Sequence, residues 1–328
     1  MKKRILSGMR PTGKLHLGNL QGALKNWVDL QNDGRHDCFY FVADWHALTS
    51  DYSTPDQIRE NSLDMVIDWL SVGLDPEKST LFVQSAIKEH AELYLLLGMI
   101  TPLPWLERNP TYKEMRDELT EKDLGTYGFL GYPVLQAADI IIYKGQGVPV
   151  GVDQLPHVEL TREIARRFNF LYREVFPVPD PLLTAVPKLL GIDGRKMSKS
   201  YGNSIYIGDE GDALKTKVSA MFTDPQRMRR KDPGNPDICN VYSFHQLYTE
   251  ESEVAQINTD CRTAGIGCTD CKKRLYERML LAMSPIHERR NHYCQHLDLV
   301  RDIIEKGNRK AAAVAKATMQ EVREAMKI

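Results

Sequence analysis

Two apolar spacings alternate along the first half of the chain. A short run, Ile5-Leu6, leads through a glycine-containing turn into Leu20, Ala23, Leu24, Trp27, Val28 and Leu30. Their three- and four-residue steps are the period of a helix with one buried face. Residues 37–43 form a continuous apolar run, and Thr80–Gln84 is another, which suits strands covered on both faces. Between them, Thr54-Pro55 opens a periodic helix that reaches Leu70. A helix is expected over 89–100, and Pro102, Pro104 and Pro110 then break the pattern. Tyr112–Lys122 is charged and Gly125–Gly131 loose. Tyr132–Tyr143 reads as a buried helix carrying one acid, Asp139, and Gly147–Gly151 as a short strand. Asp153 caps a helix reaching about Phe168. Strand, helix, strand implies a parallel sheet with right-handed crossovers. Ligands then bind at the carboxyl ends of the strands, where the strand order reverses.

The second half reads differently. Pro177, Pro179, Pro181 and Pro187 mark an exit from the sheet domain. Helical stretches are expected at 213–221, 241–248, 272–284, 285–306 and 311–326, with no strand beyond 205–207. The expected architecture is α/β: a parallel-sheet domain over 1–187, a loop and linker over 188–204, and an all-helical domain over 205–328.

A net charge of −1 gives no global positive field, so a nucleic-acid partner would be held by local patches. No run of about eighteen apolar residues occurs, so no membrane span is expected. Met1-Lys2-Lys3-Arg4 is basic, but no long apolar segment follows, and it does not read as a signal peptide. The expected location is the cytoplasm. There the six cysteines, Cys38, Cys239, Cys261, Cys268, Cys271 and Cys294, are better explained by core packing or metal ligation than by disulfides.

The first turn, Ser7-Gly8-Met9-Arg10-Pro11-Thr12-Gly13, runs into His16-Leu17-Gly18-Asn19 at a helix start. Glycine permits close backbone approach, and a helix N-terminus offers free N–H groups. The turn is therefore either a nucleotide-phosphate site or an ordinary glycine-rich connection. Far downstream stands Lys196-Met197-Ser198-Lys199-Ser200, which alone would read as a solvated basic loop. Together and in this order, the two stretches resemble the paired signatures of class I aminoacyl-tRNA synthetases. Ala137-Ala138-Asp139-Ile140, Val148-Pro149-Val150-Gly151 and Asp153-Gln154 narrow the resemblance to the bacterial tryptophanyl-tRNA synthetases.

That resemblance implies a Rossmann-type catalytic domain and a helical anticodon domain. It implies activation of L-tryptophan with ATP and Mg²⁺ to tryptophanyl-adenylate and pyrophosphate, and then transfer to tRNA(Trp). His16, Lys196 and Lys199 would be catalytic. Arg10, Pro11, Thr12, Gly18, Asn19, Gly151, Val152, Asp153, Leu189, Met197, Ser198 and Ser200 would join them in binding ATP. Asp139 would accept the indole N–H, and Gly8, His46, Tyr132, Gln136 and Gln154 would line the amino-acid pocket. Read from the residues alone, Asp139 either serves such a ligand or pairs internally, because a carboxylate on an apolar helix is costly without a partner. Gln136 and Val152 depart from common family wording. A homodimer is implied by the family alone. The alternatives are a tyrosyl enzyme, suggested by Tyr132-Pro133 and Gln136, and a non-catalytic nucleotide- and RNA-binding paralogue.

Cys239, Cys261, Cys268 and Cys271 are separated by 21, six and two residues. Four thiolates suit a [4Fe–4S] cluster or zinc, and free thiols are the remaining reading. Some bacterial tryptophanyl enzymes carry a similar quartet with [4Fe–4S]. Arg227, Arg229, Arg230 and Lys231 precede the quartet, and Lys272, Lys273 and Arg274 follow its last member. They are either solvated helix ends or a surface for the tRNA anticodon stem.

Overall fold

A computed structural model describes residues 2–109, 125–183 and 189–328. The expectations for Pro110, the charged stretch 112–122 and Pro187 lie outside the described residues. Two compact units form, and the chain crosses between them more than once. The first comprises Met1–Lys14, Ala23–Val186 and Tyr293–Ile328; the second comprises Leu15–Gly22 and Pro187–His292. This division differs from the expected one: a short N-terminal segment groups with the later unit, and the C-terminal helix groups with the sheet.

The first unit is built on a five-stranded parallel sheet of order β3-β2-β1-β4-β5. Its strands are β1 (Lys3–Met9), β2 (His36–Val42), β3 (Ser79–Val83), β4 (Gly147–Val150) and β5 (Asp180–Leu183). β1 pairs with β2 on one side and β4 on the other, so the order reverses beside β1. β5 was not legible in the sequence. It begins Asp180-Pro181, pairs only with β4 among the described residues and is half-exposed. Proline cannot donate to a ladder and is tolerated on such an edge.

Covering the sheet are α3 (Asp44–Asp51), α4 (Asp56–Ser71), α5 (Glu89–Ile100), α7 (Tyr127–Ile141) and α8 (Leu155–Leu171). These follow α1 (Leu17–Asn19) and α2 (Lys25–Asn32), with α6 (Leu103–Glu107) between α5 and α7. The expected loose stretch before residue 132 is instead the first turns of α7. Thr126 caps it, its side chain accepting from the Phe129 N–H. Phe39, Phe82, Ile141, Tyr143, Ile164 and Phe168 form the solvent-free centre of the core.

The last helix, α13 (Leu297–Met326), is one continuous element where two were expected, and it lies against β3. Gly307 makes that approach possible: a Cβ there would stand 1.7 Å from the Leu81 carbonyl oxygen. Asn308 Oδ1 accepts the Val83 N–H at 2.9 Å, satisfying a donor on the edge strand. Arg323 holds Glu92 through both guanidinium arms, at 2.7 and 2.6 Å.

The second unit is helical: α9 (Gly211–Ser219), α10 (Asn240–Tyr248), α11 (Glu251–Arg262) and most of α12 (Cys268–Gln295). Pro285, expected to open a new helix, lies inside α12. Leu275, Met279 and Met283 line its buried stripe, while Ile205 and Ile207 are buried in the same unit. No described helix is long and apolar enough to cross a membrane.

Candidate active site

His16–Asn19 and the Lys196–Ser200 loop both lie in the second unit. His16 is the N-cap of α1, and it makes a reciprocal cap with Asn19. The Asn19 N–H donates to His16 Nδ1 at 3.2 Å, and the His16 N–H donates to Asn19 Oδ1 at 3.0 Å. Because Nδ1 accepts, the ring proton resides on Nε2. Burial and then the nearby Lys199 charge depress the His16 pKa to about 4, against a raising contribution from its own backbone. A neutral imidazole at pH 7 therefore presents one N–H donor. The backbone is tied to the segment after the lysine loop: Leu17 N–H donates to the Ile205 carbonyl and Ile207 N–H to the Leu15 carbonyl, each at 2.9 Å. Gly18 has a steric reason to be glycine, since a Cβ would stand 2.8 Å from His16 Nδ1 and 3.9 Å from Met197 Cβ.

The lysine loop is clamped by a residue that the sequence did not single out. Asn203, buried, accepts the Ser198 N–H at 2.9 Å through Oδ1. Its amide donates to Asp193 Oδ1 at 2.8 Å and the Lys196 carbonyl at 3.1 Å. Leu189, expected near adenine through its backbone, uses its carbonyl to accept the Met197 N–H at 3.3 Å. Met197 is buried; Lys196 and Ser200 are exposed, and Lys199 opens a short 3-10 turn. Asn203 could have been found by one cue only, the Gly202-Asn203 pair ending the loop, with Gly202 at φ +64°.

The remaining expected site residues lie in the first unit. Gly8 ends up against the Phe41 ring, with a would-be Cβ 2.4 Å from Cζ, so its lack of a side chain serves core packing. Arg10, at the end of β1, donates to Ser50 Oγ at 2.5 Å and lies 3.5 Å from Asp51 Oδ2. Its Nε is buried without a hydrogen-bond partner among the described residues. Pro11 is buried and Thr12 exposed, its N–H donating to the Arg10 carbonyl. At the end of β4, Gly151 carries the Asp153 carboxylate over it, 2.7 Å from a would-be Cβ. Val152 is exposed and Gln154 donates to Asp153 Oδ2 at 3.1 Å.

Asp139 is fully buried and densely paired. His46 Nε2 donates to Oδ2 at 2.9 Å, His90 Nδ1 to Oδ1 at 2.5 Å, and Gln84 Nε2 reaches both oxygens at 2.9 and 2.8 Å. Burial alone would raise its pKa, but His90 and His46, donating to its two oxygens, outweigh it and lower the value. Internal pairing, one of the two expectations, is present at Asp139. His90 and Gln84 were missed because nothing local in Gln84-Ser85 or Glu89-His90 marks them; only the folded packing brings them to α7.

Tyr132 lies one face away, its ring 6.5 Å from His46 and 5.3 Å from His157. The Asn109 amide donates to His157 Nδ1 at 3.3 Å, so His157 Nε2–H donates to Tyr132 Oη at 3.1 Å. Burial, then His46, depress the His157 pKa to about 4, against a raising contribution from Asp153. Its geometry leaves the Tyr132 hydroxyl proton to another acceptor. Gln136 is half-buried on the same helix.

The four quartet cysteines are free thiols on three elements: Cys239 caps α10, Cys261 ends α11, and Cys268 and Cys271 open α12. Burial, then the other three thiols, push the Cys271 pKa up to about 12, opposed by Arg274. Arg227 reaches Cys268 Sγ at 3.9 Å, and Cys271 Sγ stands 3.5 Å from His245 Nε2. Among the described residues, no three His, Cys, Asp or Glu side chains converge tightly enough to hold a metal ion.

Comparison with known proteins agrees with the two signatures. Residues 1–283 match the family model of class I tRNA synthetases for tryptophan and tyrosine. The tryptophan–tRNA ligase of Thermotoga maritima is 56% identical, covering 99% of each chain. That of Aquifex aeolicus is 46% identical over 99% of this chain and all of its own. The crystal structure of tryptophanyl-tRNA synthetase from Campylobacter jejuni, complexed with ADP and tryptophan, superposes with a TM-score of 0.91 at 35% identity, covering 99% of this chain and all of that one. A tyrosyl-tRNA synthetase from Archaeoglobus fulgidus, 20% identical with a TM-score of 0.67, shares the fold alone. With its parallel sheet, its paired signatures and near-complete coverage of these relatives, the chain belongs to the class I tRNA synthetases of the tryptophan and tyrosine family.

Proposed function

We propose that the protein is a tryptophan–tRNA ligase, and one observation carries the reading furthest: the His16 cap and the Lys196–Ser200 loop occupy one unit, with Gly18 packed toward Met197. In the first step the tryptophan carboxylate attacks the α-phosphorus of ATP and the bond to pyrophosphate breaks. No covalent enzyme intermediate forms, so the protein aligns reactants and stabilises phosphate charge. His16 Nε2–H donates to a phosphate oxygen. Lys196 and Lys199 stabilise charge on the departing pyrophosphate. Mg²⁺ accompanies ATP and is held largely by its phosphates. Arg10, Pro11, Thr12, Gly18, Asn19, Gly151, Val152, Asp153, Leu189, Met197, Ser198 and Ser200 contribute to the nucleotide site.

Asp139 selects tryptophan by accepting the indole N–H in place of one of its present donors, and Gly8, His46, Tyr132, Gln136 and Gln154 border the pocket. Pyrophosphate exchange with ATP, run with tryptophan and tyrosine in parallel, tests the assignment. Exchange with tryptophan alone supports it; exchange favouring tyrosine would make the enzyme a tyrosyl ligase, and none with either would leave a non-catalytic paralogue.

The quartet fits a four-thiolate group in donor chemistry, and Arg227 places a positive charge beside it. We assign it to [4Fe–4S], which when bound cross-links α10, α11 and α12. Visible absorbance that bleaches on reduction of anaerobically purified protein supports this, and stoichiometric zinc there would overturn it. The tRNA(Trp) anticodon stem docks on the neighbouring basic surface, so reversing Arg229 and Arg230 should weaken tRNA binding. A homodimer is supported by an exposed apolar stripe, with Leu95, Met99, Leu103 and Tyr127 all more than half exposed. The cell compartment assigned is the cytoplasm.

A further inference from the structure

Behind Asp139 stands a polar chain with no role in the pocket described so far. His90 on α5 and Tyr143 just after α7 are both fully buried. Tyr143 Oη lies 2.6 Å from His90 Nε2, and His90 Nδ1 lies 2.5 Å from Asp139 Oδ1. Aromatic rings enclose the pair: Phe41 and Phe82 each stand 6.4 Å from the imidazole, and Phe39 stands 5.3 Å from the Tyr143 ring. A core of this composition could be filled by apolar side chains, and burying a hydroxyl and an imidazole there costs free energy unless both are paired.

The direction of donation follows from chemistry. An ionised carboxylate only accepts, so His90 donates from Nδ1. A neutral imidazole then accepts at Nε2, and the Tyr143 hydroxyl donates to it. Burial, and then the nearby Asp139 and Glu89 charges, hold that hydroxyl well above its ordinary pKa, so it keeps its proton. Asp139 consequently has two unlike halves. Oδ1 is held by His90 at a dead end. Oδ2 takes His46, which retains slight exposure and faces Tyr132. Gln84 bridges the two oxygens.

We propose that Tyr143 and His90 are positioning residues for amino-acid selection: they fix Oδ1 of Asp139, so that Oδ2 alone turns to the incoming indole N–H when His46 yields. The inference rests on the proposed role of Asp139. Its sequence consequence is that two residues with no ligand contact set discrimination between tryptophan and an analogue lacking the N–H.

The test uses pyrophosphate exchange by full-length protein with tryptophan and with the analogue carrying sulfur in place of the indole N–H. Tyr143→Phe, nearly isosteric, should lower kcat/KM for tryptophan about tenfold through KM, the loss of one buried hydrogen bond. The analogue should be unaffected. His90→Asn keeps a donor near the Nδ1 position and should retain more discrimination than His90→Leu. In ¹⁵N spectra the His90 ring should show protonated Nδ1 and bare Nε2, and Tyr143→Phe should release that single tautomer. Equal losses for both substrates in Tyr143→Phe would mark a purely structural role and overturn the inference. So would unchanged discrimination in Tyr143→Phe while Asp139→Asn abolishes it. If Asp139→Asn itself leaves discrimination intact, the role of Asp139 fails, and the relay with it.

Discussion

Asp139 and the cysteine quartet are both gatherings of polar side chains, yet they are held in opposite ways. Around Asp139 every carboxylate oxygen has a donor, and three side chains from α3, α5 and the β3 end converge on it. The quartet collects four thiols from three elements, and the contacts of Arg227 and His245 to them, at 3.9 and 3.5 Å, are long ones to sulfur. Hydrogen-bonded sites assemble on folding because buried polar groups must pair. Thiols form only weak hydrogen bonds and repel as charge develops, so by themselves they are not drawn into a closed cage. The lysine loop stands between these extremes: its backbone is clamped by Asn203, while the Lys196 side chain is exposed.

The comparison breaks most sharply at the lysines. Lys199→Ala should lower the rate of tryptophan activation by about 10²–10³, as loss of a charge-stabilising donor does, with little change in tryptophan affinity; stopped-flow adenylate formation would show it. Asp139→Ala should follow, cutting the preference for tryptophan over its N–H-lacking analogue by about 10² in kcat/KM, the scale of a lost hydrogen bond to a charged group. It should also lower the melting temperature, because His46, Gln84 and His90 lose their common partner.

Gly191→Ala sharpens the contrast at the loop. Its Cβ would stand 2.3 Å from Asn203 Cγ, so the clamp must shift. Activation should slow about tenfold, the effect of one displaced buried hydrogen-bonding residue, while tryptophan binding at equilibrium stays close to unchanged by titration calorimetry. The smallest effect is the pH dependence of His16. Its folded pKa, about 4, lies below the ordinary histidine value of 6.5, so the unfolded chain binds more protons between those values. Stability therefore falls as pH drops from about 6.5 toward 4 and is flat above that window. His16→Gln should remove this slope from urea melts taken across the same range.

The parallel sheet was legible because β1, β2 and β3 are buried on both faces and so read as apolar runs. The paired signatures were legible because each is a local string. β5 was not, because an edge strand starting Asp180-Pro181 needs no apolar run and loses nothing at its unpaired side. Gly8 was legible as a close-approach glycine, but the neighbour it makes room for, Phe41, stands 33 positions later and is not marked in the local string.

The sequence by itself determined most of the elements, their order and the chemical types that could bind a nucleotide and an aromatic amino acid, since periodicity and short motifs are properties of adjacent residues. Only the tertiary structure decided that α13 closes the edge at β3, that Asn203 clamps the lysine loop, and that His90 and Gln84 stand against Asp139. Those facts depend on which buried donors meet which acceptors across tens of residues, and hydrogen bonds of that range leave no spacing in the chain to read.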